Sequence, residues 1–133
     1  MSLLLDTHVW IWSQERPDEL GPETTRLLTD PQVSLYVSTV STLEIARLIG
    51  IGAVELTDPL ISWVTATLGS LGCKTVEISH AIAAEAYALP PGFHKDPADR
   101  VLAATARLEH LTLLTADGRI LDYPHVETFD ARR

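Results

Sequence analysis

The sequence predicts an α/β fold of three layers, with helices on both faces of a central parallel sheet of about five strands. Short β-rich apolar runs recur at Leu3 to Leu5, Val33 to Val37, Thr75 to Ile78, Leu111 to Leu114 and Val126 to Phe129, each too brief for a helix of ordinary length. Between them lie stretches with helix start and stop signals. Strand and helix in alternation imply parallel strands joined by right-handed crossovers.

Taken in order, the first run opens "LLLDTHVWIW". Three consecutive leucines suit a strand covered on both faces, and the run closes on a carboxylate, Asp6. The second run leads into "STVSTLEIARLIG", where Ser38 or Ser41 caps a helix and Ser41 with Glu44 has capping-box spacing. In "TDPLISWVTATLGSLG" Asp58 is read as N-cap and Pro59 as the first helical residue. Leu60, Ile61, Val64 and Leu68 recur there at helical spacing, and Gly72 marks the stop. Ser79 caps "SHAIAAEAYAL", which ends before Pro90 and Pro91. "DPADRVLAATARLEH" offers Asp96 as N-cap, Pro97 at the first position and Asp99 in the first turn, where carboxylates suit the positive end of the helix dipole. In "LLTADGRI" Asp117 follows the fourth strand directly.

A chain of 133 residues suits one compact domain, residues 1–133. Hydrophobic residues make up 46% and charged residues 21%, enough apolar material for a core and some for an interface, so disorder is excluded. The single cysteine, Cys73, excludes an internal disulfide and, with the histidines, makes no zinc-finger spacing. The N-terminus has no basic leader, and no apolar run reaches the ~20 residues of a membrane span, so a cytoplasmic protein without membrane contact is expected. Ten Lys and Arg against 18 Asp and Glu give a formal charge of −8, which argues against broad polyanion binding.

The position of the acids matters more than their sum. Asp6, Glu44 and Asp117 lie just beyond the carboxyl ends of three strands. Asp99 begins a helix that runs back antiparallel to the strand it feeds, which places it at the same rim. That rim is where open parallel sheets bind ligands. Taken singly, Asp6 reads as a turn or cap residue, Glu44 as a capping-box partner, Asp96 as a plain N-cap and Asp117–Gly118 as a turn pair. None of those readings explains why acids gather at one end of one sheet. Carboxylates converging in a crevice repel one another and lose solvation, which a divalent cation compensates. Oxygen ligands without a His/Cys cluster favour Mg²⁺ or Mn²⁺, and such an ion supports phosphodiester cleavage by water.

"LLLDTHVWIW", "STVSTLEIARL", "HKDPADRVLAATA" and "LLTADGRI", in this order and spacing, resemble the PIN-domain ribonucleases, most closely the VapC toxins of toxin–antitoxin pairs, over essentially the whole chain. The resemblance implies a PIN-like α/β/α sandwich and a Mg²⁺- or Mn²⁺-dependent endoribonuclease. By motif position it makes Asp6, Glu44, Asp99 and Asp117 the catalytic, metal-holding acids. Thr115 takes the place of a supporting hydroxyl, and Asp96 becomes a helix cap and possible outer-shell ligand, with Asp99 preferred as the closer acid. It also implies an RNA substrate, a cognate VapB-like antitoxin whose C-terminal segment wraps the toxin, and a homodimer.

Arg47, Lys95, Arg100 and Arg119 flank these acids and are candidate phosphate contacts; a solvated charge or an ion pair is the alternative for each. His8 and His94 sit beside acidic motif residues, where orienting substrate or shuttling a proton is the alternative to the structural role read for them, and Cys73 is read as a buried filler. Trp10, Trp12 and Trp63 are read chiefly as core. Two other functions compete. A haloacid-dehalogenase-like phosphohydrolase needs a second Asp where His8 stands, and a catalytically silent PIN-like binding scaffold would have lost one of the four acids.

Overall fold

The computed structural model describes residues 1–133. Its elements, in chain order, are β1 (Ser2–Leu5), α1 (Thr7–Glu15), α2 (Pro22–Thr29), β2 (Ser34–Ser38), α3 (Thr39–Gly50), α4 (Leu60–Leu71), β3 (Lys74–Val76), α5 (His80–Glu85), α6 (Pro97–Leu108), β4 (Thr112–Thr115), α7 (Gly118–Leu121) and β5 (Thr128–Asp130). The five strands form one sheet in the order β3-β2-β1-β4-β5, and every neighbouring pair is parallel. The first strand is therefore central, with Leu3 opposite Leu35 on one side and Thr112 on the other.

The leucine run is buried throughout because successive side chains of a strand point to opposite faces. Leu3 and Leu5 join one apolar cluster with Trp10 of α1, Leu27 of α2, Ile45 of α3 and Trp63 of α4. Leu4 joins the other, with Leu102, Ala103 and Ala106 of α6 and Ile120 of α7. Each face of the sheet thus carries its own helical layer, and the three-layer architecture follows. Trp10 and Trp63 pack with ring centroids 5.1 Å apart, and the Trp10 indole donates to Thr67 Oγ1 at 3.0 Å. Satisfying that polar handle is what makes so large a ring stable inside.

Several local expectations are corrected. Asp58 does not cap α4: Pro59 holds the cap position, with the Trp63 amide donating to its carbonyl at 2.9 Å. Ser41 and Glu44 form no capping box, because α3 starts earlier. Ser38 Oγ accepts from the Val40 amide at 3.0 Å, which leaves Ser41 inside the helix. The third strand ends at Val76, since the Ile78 amide turns to Thr39 Oγ1 at 3.3 Å. Val126 is apolar because it is buried in the second cluster, although β5 begins only at Thr128. Other signals act as read. Ser79 Oγ accepts from the Ile82 amide, Asp96 Oδ1 accepts from the Asp99 amide, and Gly72 closes α4 in the left-handed region at φ 68°, where glycine carries no steric penalty.

Candidate active site

The carboxyl ends of the strands and the helices that leave or approach them build one cleft of about 270 Å³, lined by Asp6, Thr7, Glu44, Asp96, Asp99 and Asp117 among others. Asp6 caps α1: Oδ1 accepts from the Thr7 amide at 2.7 Å, and Oδ2 accepts from Thr115 Oγ1 at 2.6 Å. Only 5% of Asp6 is exposed. The same Thr115 oxygen accepts the Asp117 amide at 3.0 Å, so one buried hydroxyl fixes two acids. Thr7 Oγ1 donates to Ser41 Oγ at 2.9 Å, tying α1 to α3. That contact, one turn before Glu44, sets this acid at the cleft. Asp117 caps α7, its Oδ1 accepting from the Arg119 amide at 2.9 Å.

The electrostatics divide the acids. Burial pushes Asp6 above the ordinary carboxylate range, against the opposing bond from Thr115. Asp99 is pushed up to about 6, first by burial and then by the charges of Asp6 and Asp96, while the bond to His94 works the other way. Asp117 is held below its ordinary value by the Arg119 guanidinium at 2.9 Å. Glu44 is gripped by Arg47 through Nε at 3.3 Å and Nη2 at 3.2 Å. Acids that raise one another's proton affinity in a partly dry cleft form a site with a deficit of positive charge. The donor set therefore fits a hard divalent cation.

The basic residues named from the sequence separate. Arg47 and Arg119 line or flank the cleft as partners of its acids, and Lys95 is exposed. Arg100 requires correction as a phosphate contact. Its guanidinium donates to the Ala86 and Phe93 carbonyls at 3.0 Å each and lies over the Tyr87 ring, which makes it a brace between α6 and the segment before it.

Sequence reasoning left Arg132 and Trp12 out of the site and gave His8 and His94 a structural role. His94 Nε2 lies 2.6 Å from Asp99 Oδ2, with its ring stacked on Phe93 at 4.5 Å. Ligand atoms of His94, Asp99 and Asp117 fall within 4.8 Å of one another, so the tightest group contains an imidazole that the all-carboxylate reading left out. Arg132, Trp12 and His8 line the cleft, whereas His94 reaches it only through Asp99. The signal for Arg132 was available: β5 runs parallel to β4, so the residues after it surface at the same rim as Asp117. Cys73 is half-buried, and burial pushes its thiol up to about 11, consistent with an inert filler.

A parallel sheet in this order, with acids after β1 and β4, in the first turn of α6 and midway along α3, defines a class of α/β domain with an acidic cleft at the strand ends, and the PIN-domain family model matches residues 3–126. The chain belongs to the PIN-domain family. Ribonuclease VapC22 of Mycobacterium tuberculosis is 33% identical over 124 residues, covering 93% of each chain. Among solved structures, VapBC2 from Rickettsia felis, bound to a DNA fragment from its promoter, superimposes with a TM-score of 0.69 at 17% identity and 98% coverage of both chains. FitAcB from Neisseria gonorrhoeae gives 0.60 at 25% identity and 97% coverage of both. No helix is long and apolar enough to cross a membrane.

Proposed function

We propose that this chain is a divalent-metal-dependent endoribonuclease, the VapC-like toxin of a toxin–antitoxin pair, with Mg²⁺ or Mn²⁺ held by Asp6, Glu44, Asp99 and Asp117. The observation that carries the proposal is the convergence of these four acids on one cleft, two of them with raised proton affinity. The relationship to ribonuclease VapC22 supplies the substrate class. When bound, the ion would offset the acids' charge, lower the pKa of an attacking water and stabilise charge building on the phosphate.

The residues have separable tasks. Thr115 aims Asp6 and seats Asp117. His94 holds one oxygen of Asp99 and so fixes the carboxylate that would help hold the ion. Arg47 and Arg119, released from Glu44 and Asp117 when a cation takes those acids, can turn to phosphate oxygens. Asp96 fixes the start of α6 and so the place of Asp99. Beside the cleft, Val40, Leu43, Ile78 and Val101 line an apolar groove of about 640 Å³, where Leu43 is 66% exposed, a surface suited to an antitoxin or a second subunit. A cytoplasmic location and a single-domain organisation complete this reading.

Cleavage of several structured RNAs is expected with Mn²⁺ or Mg²⁺, lost with EDTA and in Asp6→Asn and Glu44→Gln. Expression should arrest growth, with rescue by the product of an adjacent reading frame. A wild-type chain that cleaves none of those RNAs with either ion would return it to the binding-scaffold class.

A further inference from the structure

The cleft has one indole on its wall. Trp12 is half-buried and lines the same cavity as the four acids. Its chain neighbours Val9, Trp10 and Ile11 sit in the first apolar cluster, whereas Trp12 is absent from every cluster, including the partly buried side chains packed around them. The three tryptophans therefore divide in role. Trp10 and Trp63 fill the core against each other, and Trp12 is held out at the rim.

Its surroundings are ordered. The Arg132 guanidinium lies over the indole at 5.8 Å and is pinned by donation from Nη1 to the Ala116 carbonyl at 2.7 Å, while the Arg132 amide donates to Asp130 Oδ1 at 2.9 Å. Unlike Arg47 and Arg119, Arg132 makes no ion pair with an acid of the cleft. His8, one turn before Trp12 on the same face of α1, meets the indole at a 60° tilt with centroids 6.1 Å apart, and it stands near enough for its charge to act on Asp6. His8 meets the ring edge-on rather than stacked on its face.

A flat aromatic surface beside a fixed, unpaired cation is the arrangement with which proteins hold unpaired nucleotides: the ring takes the base and the cation takes the phosphate. We propose that Trp12, backed by Arg132, is the stacking platform for a nucleobase flanking the scissile phosphate, and so a substrate-positioning residue. The proposal rests on the nuclease reading of the cleft. Because stacking accepts any base, Trp12 favours unpaired over paired nucleotides without reading sequence.

Tryptophan emission tests it apart from catalysis. In the Glu44→Gln background with Mg²⁺, a fluorescein-free single-stranded oligouridylate of twelve nucleotides should quench the emission, and an abasic strand of equal length and charge should not. Trp12→Phe should remove the quench while retaining most of the affinity, since a π face remains. Trp12→Leu should weaken binding roughly tenfold for the base-bearing strand and leave the abasic strand unchanged. In the unblocked chain Trp12→Leu should raise KM by about the same factor with kcat near wild type. Absence of any quench, equal binding of the base-bearing and abasic strands, or an unaltered affinity in Trp12→Leu would each overturn the platform. If Trp12→Leu fails to fold, Trp12→Phe decides alone: a quench that persists there overturns it. A chain that cleaves no RNA yet shows the quench would sink the nuclease reading and with it the scissile phosphate beside Trp12, while leaving the base-stacking contact itself in place.

Discussion

Thr115 and Asp6 stand 109 residues apart in sequence and share a 2.6 Å hydrogen bond, with the hydroxyl donating and Asp6 Oδ2 accepting. Thr115 is fully buried at the end of β4 and also accepts the Asp117 amide. Thr115→Val keeps the volume and removes both bonds, which leaves Asp6 short of a donor. Turnover is expected to fall by about ten- to a hundredfold and stability by about 1–3 kcal/mol. Thr115→Ser should restore most of both. Single-turnover cleavage and urea denaturation measure the two effects.

The raised proton affinity of Asp99 makes a pH prediction. Asp99 titrates at about 6 in the fold against an ordinary 3.8, so between those values the folded chain binds more protons than the unfolded one. Stability of the metal-free chain therefore falls as pH rises through that window, by something on the order of 2–3 kcal/mol, and the penalty is fully present above pH 6. Asp99→Asn should make the slope shallower, leaving the part that buried Asp6 contributes, melt higher than wild type at pH 7.5 with EDTA, and lose cleavage. Thermal melts of the two chains from pH 4 to pH 7.5 give the difference directly. An identical pH dependence in both would refute the assignment.

Arg119 pairs with Asp117 at 2.9 Å and approaches Asp99 at 3.8 Å, yet most of its side chain is exposed. Under the proposed function it would compete with a cation before substrate arrives and be free for phosphate afterwards. Arg119→Ala should bind Mn²⁺ about two- to fivefold more tightly and show a higher KM for RNA, two changes in opposite directions. Calorimetry with Mn²⁺ and steady-state kinetics separate them. A loss of Mn²⁺ affinity would mean that the arginine orders the acids.

Arg100 tests the opposite case. Its two backbone acceptors and the Tyr87 ring make it structural, so Arg100→Met should cost about 1–3 kcal/mol of stability through unsatisfied carbonyls. KM for RNA in the folded fraction should stay at the wild-type value, and the salt dependence of binding should be unaltered.

Adding Mn²⁺ should raise the melting temperature of wild type, because an ion that binds only the folded chain stabilises it by mass action. The gain should vanish in Asp6→Asn. A thermal shift of equal size in both chains would place the ion elsewhere.

The sheet and its acids were legible because they depend on period-two burial, caps and the end of a strand, all local in sequence. Asp6 after three leucines needed no tertiary knowledge, whereas the preference for Asp99 over Asp96 came from the resemblance of its motif. The pairing of Arg100 with Ala86 and Phe93 could not be read, since it depends on how α5 and the loop before α6 fold back. His94 looked structural for the same reason: its value comes from an acid five residues on, brought close by the turn into α6. Trp12 resembled its buried neighbour Trp10 in type and spacing, and only the packed helix tells the two faces apart.

Gly21 lies outside the catalytic cleft lining, yet a Cβ there would come within 2.1 Å of the Arg133 backbone. Its amide is bonded to the Ala131 carbonyl at 2.9 Å, and Arg132 sits between those two contacts. Any side chain at position 21 must therefore push the last strand's exit away from the rim and carry a cleft arginine with it. If the proposed growth arrest holds, survivors of a selection against it would include glycine replacements at this spot, lesions that silence the cleft from a distance while every acid stays intact.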